Sequence, residues 1–372
     1  MRLAYLSTDP GVPYGGTKGS SVHVGELVDA LVECGAEILL LVASVAEGAS
    51  APVGVTLEVL PDSGKGVSPS ERLAGDPRRA SFVVDRVRAF GASALYERMA
   101  LHTEAGSVAA RTLGIPHLVE LNAPLVDEAS TYRGLKHRAE AEELEGHVLA
   151  AADLVLAVTR PLADHARRCG ATRVEVAPNA VAWDRFAAFE RVEQDGSEVV
   201  AVFAGTLRTW HGIDVIAEAW SWLGADAPHL RVIGDGPGRE QLESVGAEVI
   251  GTVAHDTVPT LLAATDIGLA PYTREGPRYF SPIKLFEYLA AGLAVVAGDL
   301  PGVVDVVGDD CAVVIPAGDP IRLAKAVSAL AADAPRRSEL ARAGRATVAL
   351  NHTWRHRAEH ILGSVKALRV AS

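Results

Sequence analysis

The sequence predicts an α/β protein built from two Rossmann-like, doubly wound domains in tandem, and three observations carry that expectation. The 372 residues exceed one ordinary compact core and suit two domains of roughly 150 to 200 residues each. Apolar runs of strand length alternate with helical apolar patterns along the whole chain, as in parallel sheets covered by helices on both faces. Hydrophobic residues make up 49% and aromatics only 5%, a balance set by Ala, Val and Leu that fits short helices packed on buried parallel strands.

The first strand is the apolar run 3–7, followed by a turn-rich loop holding Asp9, Pro10, Gly11, Pro13, Gly15, Gly16 and Gly19. From Ser21 onward Val24, Leu27, Val28 and Leu31 fall at helical spacing, Gly35 ends the helix, and 38–42 is the next strand, closing a βαβ unit. The alternation continues through strands at 94–96, 117–121 and 154–158. The stretch 61–79, rich in Gly, Ser and Pro, reads as a mobile surface loop. A second series of strands follows at 199–203, 230–233, 247–250, 267–270, 294–297 and 312–315. After Asn351, Thr353 is a suitable N-cap for a helix with the stripe Ala358, Ile361, Leu362 and Val365, placed to cross back over both domains. The expected division is a first domain 1–183, a hinge 184–197, a second domain 198–351 and a closing helix 352–372.

Composition excludes some function classes. A net charge of −12, from 47 acidic against 35 basic residues, opposes a sequence-independent grip on nucleic acid, which needs cations for the phosphates. Cys34, Cys169 and Cys311 are odd in number and far apart, forming neither a zinc spacing nor a disulfide framework, so a reducing cytoplasm is expected. The N-terminus enters a strand with no signal-peptide pattern, and no apolar window reaches the roughly 18 residues of a membrane span. A local basic patch at Arg133, Lys136 and Arg138 leaves room for a membrane-bound partner, but a soluble one is expected first.

The richest chemistry lies in Ser281-Pro282-Ile283-Lys284-Leu285-Phe286-Glu287-Tyr288-Leu289-Ala290-Ala291-Gly292. Pro282 suits the first helical turn and Gly292 the end of the helix. The unpaired N–H groups of Ile283 and its neighbours then face an anion, and Lys284 adds a full positive charge, an arrangement that fits a diphosphate. Glu287, one turn on, suits a ribose diol, although an i, i+3 Lys-Glu surface pair gives the same spacing. The segment from Gly205 to Gly212 follows the first strand of the second half, where doubly wound folds place ligands. Arg208 and His211 there are candidate diphosphate contacts, and Trp210 reads as packing. Gly234-Asp235-Gly236-Pro237-Gly238 misses the G-x-G-x-x-G spacing, since Arg239 takes the sixth position, and reads as a tight strand-to-helix turn. In the first half, Gly15 and Gly16 allow close backbone approach, with Lys18 and His23 as phosphate or acceptor contacts; a purely geometric glycine turn is the alternative. His352, His356 and His360 read as a solvated helix face rather than a metal site, and no metal or other cofactor is expected.

In the order of these segments the chain resembles the retaining glycosyltransferase family 4, whose two-domain fold is called GT-B. The resemblance extends to Tyr96-Glu97-Arg98, Glu120-Leu121-Asn122-Ala123-Pro124, Pro178-Asn179-Ala180-Val181 and the Thr353-Trp354 helix, and covers nearly the whole chain. It implies two domains facing a cleft, a nucleotide diphosphate sugar as donor, and transfer with retention. It further implies Glu287 on the donor ribose, amides around Pro282 to Leu285 on the diphosphate with Ser281 and Gly205 beside them, Val253 near the base through its backbone, and Gly16 at the diphosphate. Glu120 and Asn122 are implied as sugar or acceptor contacts, and Arg98 lies on the acceptor side. The chain departs from the family at three positions. Tyr279 stands where many relatives have an acidic residue, and Thr206 and His211 stand where many have Arg and Lys. Arg208, Arg278 and Lys284 are the cations left to compensate. A nucleotide-sugar epimerase and a catalytically silent nucleotide-sugar-binding protein stay open as alternatives.

Overall fold

In the computed structural model, which describes all residues except 62, 64, 65, 189–197, 309 and 372, the first apolar runs assemble into seven parallel strands. These are β1 (Arg2–Ser7), β2 (Glu37–Val42), β3 (Val55–Val59), β4 (Leu95–Arg98), β5 (His117–Leu121), β6 (Leu154–Ala157) and β7 (Val174–Val176). They lie in the order β3-β2-β1-β4-β5-β6-β7, with Tyr5 opposite both Leu40 and Tyr96. Leu3, Ala4, Tyr5 and Leu6 are fully buried, as a strand covered on both faces must be. A second sheet holds β8 (Val200–Ala204), β9 (His229–Ile233), β10 (Glu248–Gly251), β11 (Ile267–Ala270), β12 (Ala294–Gly298) and β13 (Ala312–Ile315) in the order β10-β9-β8-β11-β12-β13. Strand order reverses between β1 and β4 in one sheet and between β8 and β11 in the other, which fixes a crevice at the carboxyl ends of those strands in each.

The chain forms two compact units, Met1–Pro178 with Trp354–Ser372, and Asn179–Thr353. The second begins earlier than the sequence boundary because residues after Pro178 are tied into it. Asn179 donates its N–H to Ser281 Oγ at 2.9 Å and its Nδ2 to the Ser281 carbonyl at 2.6 Å. Val181 bridges Thr353, and Phe186 of the helix Trp183–Ala187 is buried in the second unit's core. Residues 189–197 of the expected hinge lie outside the described residues. The C-terminal helix Trp354–Ala371 packs in the first unit on the helix Gly19–Glu33, with Trp354 edge-on to His23 at 4.7 Å. No helix among the described residues is long and apolar enough to cross a membrane.

Two expectations are corrected. Residues 69–79 of the stretch expected to be a loop are helical, because Pro69–Phe90 forms one long helix. Ser68 caps it reciprocally with Glu71, Pro69 sits at its start, and Gly91 at φ 70 ends it. The inward face hid from hydropathy because it carries charge: Arg79, 1% exposed, bonds Asp76 at 2.6 Å, and Asp76 also accepts from the Thr103 hydroxyl and the Glu104 N–H. The three histidines do not share one helix face. His352 caps the preceding helix and lies against Phe286, while His360 bonds Glu175 at 2.8 Å.

Candidate active site

At the switch point of the second sheet the turns after β8 and β9 meet backbone to backbone. Gly205 has φ 134 and Gly234 φ 141, and a Cβ on Gly234 would lie 2.0 Å from the Gly205 carbonyl oxygen. This is the tight strand-to-helix turn expected of Gly234–Gly238. On its other side Gly205 leaves room for Lys284, whose Nζ would lie 2.9 Å from a Cβ there.

Lys284 comes from the helix Ile283–Ala290, with Pro282 as its N-cap, one position outside the first turn. Its Nζ is buried 3.8 Å from the centre of the Phe203 ring and has no hydrogen-bond partner among the described residues. Burial pushes the ammonium pKa down to about 7, with the Glu287 carboxylate pulling it back up. A lone ammonium in such a place is costly unless an anion joins it. Of the amides expected at a diphosphate, that of Leu285 is turned back onto the Pro282 carbonyl at 3.1 Å, leaving those of Ile283 and Lys284 to open the helix. Ser281 Oγ accepts from Asn179 N–H, so its first task is to hold that segment.

Glu287, 7% exposed and one turn beyond Lys284, accepts from His255 Nε2 at 2.7 Å. Arg185 stands 3.0 Å behind the other ring nitrogen of that histidine. Neither Arg185 nor His255 carried a sequence signal, because they reach Glu287 from separate segments. Val253 packs partly buried against the same core.

His211, read from the sequence as a diphosphate contact, is held as a neutral ring. Its Nδ1 lies 2.7 Å from the Thr206 carbonyl, which only accepts, so Nδ1 carries the proton. Burial, reinforced by the nearby Lys284 charge, lowers its pKa to about 3, keeping the ring neutral and leaving Nε2 as an acceptor. The ring sits among Phe203, Trp210, Tyr272 and Phe280. Arg208 lies over Trp210 at 5.6 Å. Arg278 donates to the Asp299 carbonyl at 2.8 Å. Tyr279 packs on Phe280 at 5.2 Å.

In the first unit the residues read as acceptor contacts converge on one carboxylate. Glu120, 3% exposed, receives His23 Nε2 at 3.0 Å, Arg98 Nη1 at 2.7 Å, the Tyr96 hydroxyl and Asn122 Nδ2. Burial alone would raise its pKa, but His23, Arg98 and Tyr96 together hold it below the usual carboxylate range. With four donors on two oxygens, Glu120 organises its neighbours rather than offering a free acceptor, and His23 and Arg98 are its partners. Lys18 caps the helix Gly19–Glu33 and is exposed. Gly15, at φ 75, is required by geometry, since a Cβ there would lie 2.3 Å from the Ala49 Cβ. A Cβ on Gly16 would lie 2.8 Å from Ser21 Oγ.

Two doubly wound parallel sheets, with a lysine and a glutamate on the first turns of a helix near the second switch point, define the GT-B class of glycosyltransferases. Residues 198–333 match the family described as "Glycosyl transferases group 1", and residues 18–180 the "Glycosyl transferase 4-like domain". The chain belongs to the GT4-like glycosyltransferases. It is 26% identical over 258 residues to the 2-deoxystreptamine N-acetyl-D-glucosaminyltransferase of Streptomyces fradiae, covering 62% of this chain and 60% of that one. It spans still less of the length of the other curated relatives it matches. Among solved structures it is similar in fold to sucrose-phosphate synthase of Thermosynechococcus elongatus, with a TM-score of 0.78 at 16% identity and all of both chains covered. It is also similar to Anabaena Alr3699/HepE in complex with UDP, with a TM-score of 0.75 at 16% identity, covering 99% of this chain and 100% of that one.

Proposed function

We propose that the chain moves a sugar from a nucleotide diphosphate donor to an acceptor hydroxyl with retention of anomeric configuration. The observation that carries this reading is the buried Lys284 ammonium, without a hydrogen-bond partner among the described residues, beside Gly205 at the second switch point and one helical turn from Glu287. In this reading Lys284 and the amides of Ile283 and Lys284 receive the diphosphate, Glu287 receives the ribose diol, the base lies along the Val253 backbone, and His211 Nε2 accepts a donor hydroxyl.

As the bond from the anomeric carbon to the phosphate oxygen breaks, negative charge grows on that oxygen, where a preorganised cation lowers the barrier. The acceptor oxygen bonds the same face of the anomeric carbon, and its proton passes to the departing diphosphate. No dedicated base is then needed, and positioning supplies much of the rate. Protein groups alone meet the diphosphate charge in this reading, so turnover should survive a chelator.

The test is a screen of uridine, guanosine, adenosine and thymidine diphosphate sugars, begun with uridine because the HepE structure holds UDP. The anomeric configuration of the product is then read by NMR. An inverted product removes retention, an isomerised free sugar nucleotide makes the chain an epimerase, and binding without turnover makes it a silent binder.

A further inference from the structure

We propose that Glu145, His165 and Cys169 form a three-ligand site for a tetrahedral divalent metal ion of the zinc type, the fourth position being left to water. His165 and Cys169 stand one turn apart at the end of the helix Arg160–Arg168, with Cys169 as its C-cap. Glu145 comes from the neighbouring helix Arg138–Ala151. The two approach closely: the next residue, Gly146, has no side chain, and a Cβ there would sit 3.9 Å from the Cys169 carbonyl oxygen.

The geometry is that of a ligand set. His165 Nε2 lies 3.3 Å from Glu145 Oε2 and 3.6 Å from Cys169 Sγ, and one ligand atom from each residue lies within 4.8 Å of the others. A tetrahedral ion bound at the usual zinc distances of about 2.0 Å to nitrogen or oxygen and about 2.3 Å to sulfur separates nitrogen from oxygen by about 3.3 Å and nitrogen from sulfur by about 3.6 Å. Hydrogen bonding explains the cluster less well. One ring nitrogen faces both a carboxylate and a sulfur but carries at most one proton. Glu145 is 7% exposed, and its Oε1 has no hydrogen-bond partner among the described residues. A buried carboxylate oxygen left this way calls for a cation.

Cys169 is half-buried, which gives an ion and its water a route in. Burial, followed by the Glu145 charge, raises the Cys169 thiol pKa, while Arg168 lowers it. A bound divalent ion would reverse that balance, the thiol proton leaving to solvent as the thiolate binds. Local spacing did not reveal the set, since only His165 and Cys169 are near in sequence and the carboxylate comes from another helix.

The experiment uses the full chain stripped with chelator and titrated with Co(II), followed by absorption. One equivalent should bind with tetrahedral d–d bands and a thiolate-to-cobalt charge-transfer band, and Zn(II) should displace it. Cys169→Ser should remove the charge-transfer band, and His165→Ala or Glu145→Gln should weaken Zn(II) by at least about 10- to 100-fold. In the unmodified protein Zn(II) should slow alkylation of Cys169 seen by mass spectrometry, a readout that does not depend on a variant folding. No stoichiometric binding, octahedral bands, unslowed alkylation, or an equivalent retained by the folded His165→Ala/Cys169→Ser protein would each overturn the site.

Discussion

His255 Nε2 lies 2.7 Å from Glu287 Oε1, and the geometry fixes what passes between them. Arg185 presents a guanidinium, which only donates, to the opposite ring nitrogen at 3.0 Å, so Nδ1 accepts and Nε2 carries the proton given to Glu287. Glu287 is therefore held in one orientation, while its Oε2 has no hydrogen bond to another described residue. Glu287→Gln should lower affinity for the preferred nucleoside diphosphate by about 1.5 to 3 kcal/mol, roughly 10- to 150-fold, with folding intact. A surface Lys-Glu pair would change it by only about 0.2 to 0.5 kcal/mol. Calorimetric titration beside thermal unfolding separates these outcomes.

Lys284 should make donor binding depend on pH. With its pKa lowered to about 7, the ammonium of the free protein loses its proton as pH rises through that value. A bound diphosphate restores the charge, so the complex takes up close to one proton near pH 8 and affinity falls with rising pH, by at most about tenfold per unit. Calorimetry of a sugar nucleotide in buffers of different ionisation enthalpy reads the uptake, which Lys284→Met should abolish. In the same variant transfer should slow by roughly 10- to 150-fold, a loss of about 1.5 to 3 kcal/mol, more than binding weakens. Normal turnover would remove Lys284 from the site.

The legible parts of the chain were those governed by local pattern. All six strands of the second sheet, and β1, β2, β4, β5 and β6 of the first, stand out as apolar runs, even the edge strands β10 and β13 with their exposed Ile250 and Val314. The strands β3 and β7 did not: β7 is only three residues long, and β3 has no fully buried residue to mark it. Lys284 and Glu287 were readable because one helix holds both at i, i+3 spacing. Arg185 and His255 were not, being brought to Glu287 only by tertiary folding. Nor did the sequence show that His23, Arg98 and Glu120, read as substrate contacts from their place in the chain and the family resemblance, bond one another in a buried cluster.

That cluster should show in acid stability. Glu120 is held below its ordinary value of 4.5, so the unfolded chain takes up its proton first. The stability it contributes is present above pH 4.5 and is lost as pH falls below that value toward the folded-state pKa. Glu120→Ala should cost about 3 to 5 kcal/mol at neutral pH by leaving Arg98 without its buried partner, and should flatten the acid limb. Urea unfolding of both proteins from pH 7 downward measures this, and parallel curves would show that Glu120 contributes little.

Two glycines at the second switch point should fail in different ways. A Cβ on Gly234 meets the Gly205 carbonyl oxygen at 2.0 Å, a backbone atom with no room to yield, so Gly234→Ala should disrupt the turn and sharply lower stability. A Cβ on Gly205 instead meets the far end of Lys284, with Nζ at 2.9 Å and Cε at 3.3 Å, which can swing aside. Gly205→Ala should then cost about 1 to 3 kcal/mol in backbone strain at φ 134 and also displace the ammonium from its place beside the helix start. Its transfer rate should approach that of Lys284→Met, and the Gly205→Ala/Lys284→Met double variant should be little slower than Lys284→Met alone, because both changes remove one interaction. Rates for the four proteins, each checked by urea unfolding, form the cycle. Multiplicative losses in rate would mean that Gly205 acts through something other than the placement of Lys284.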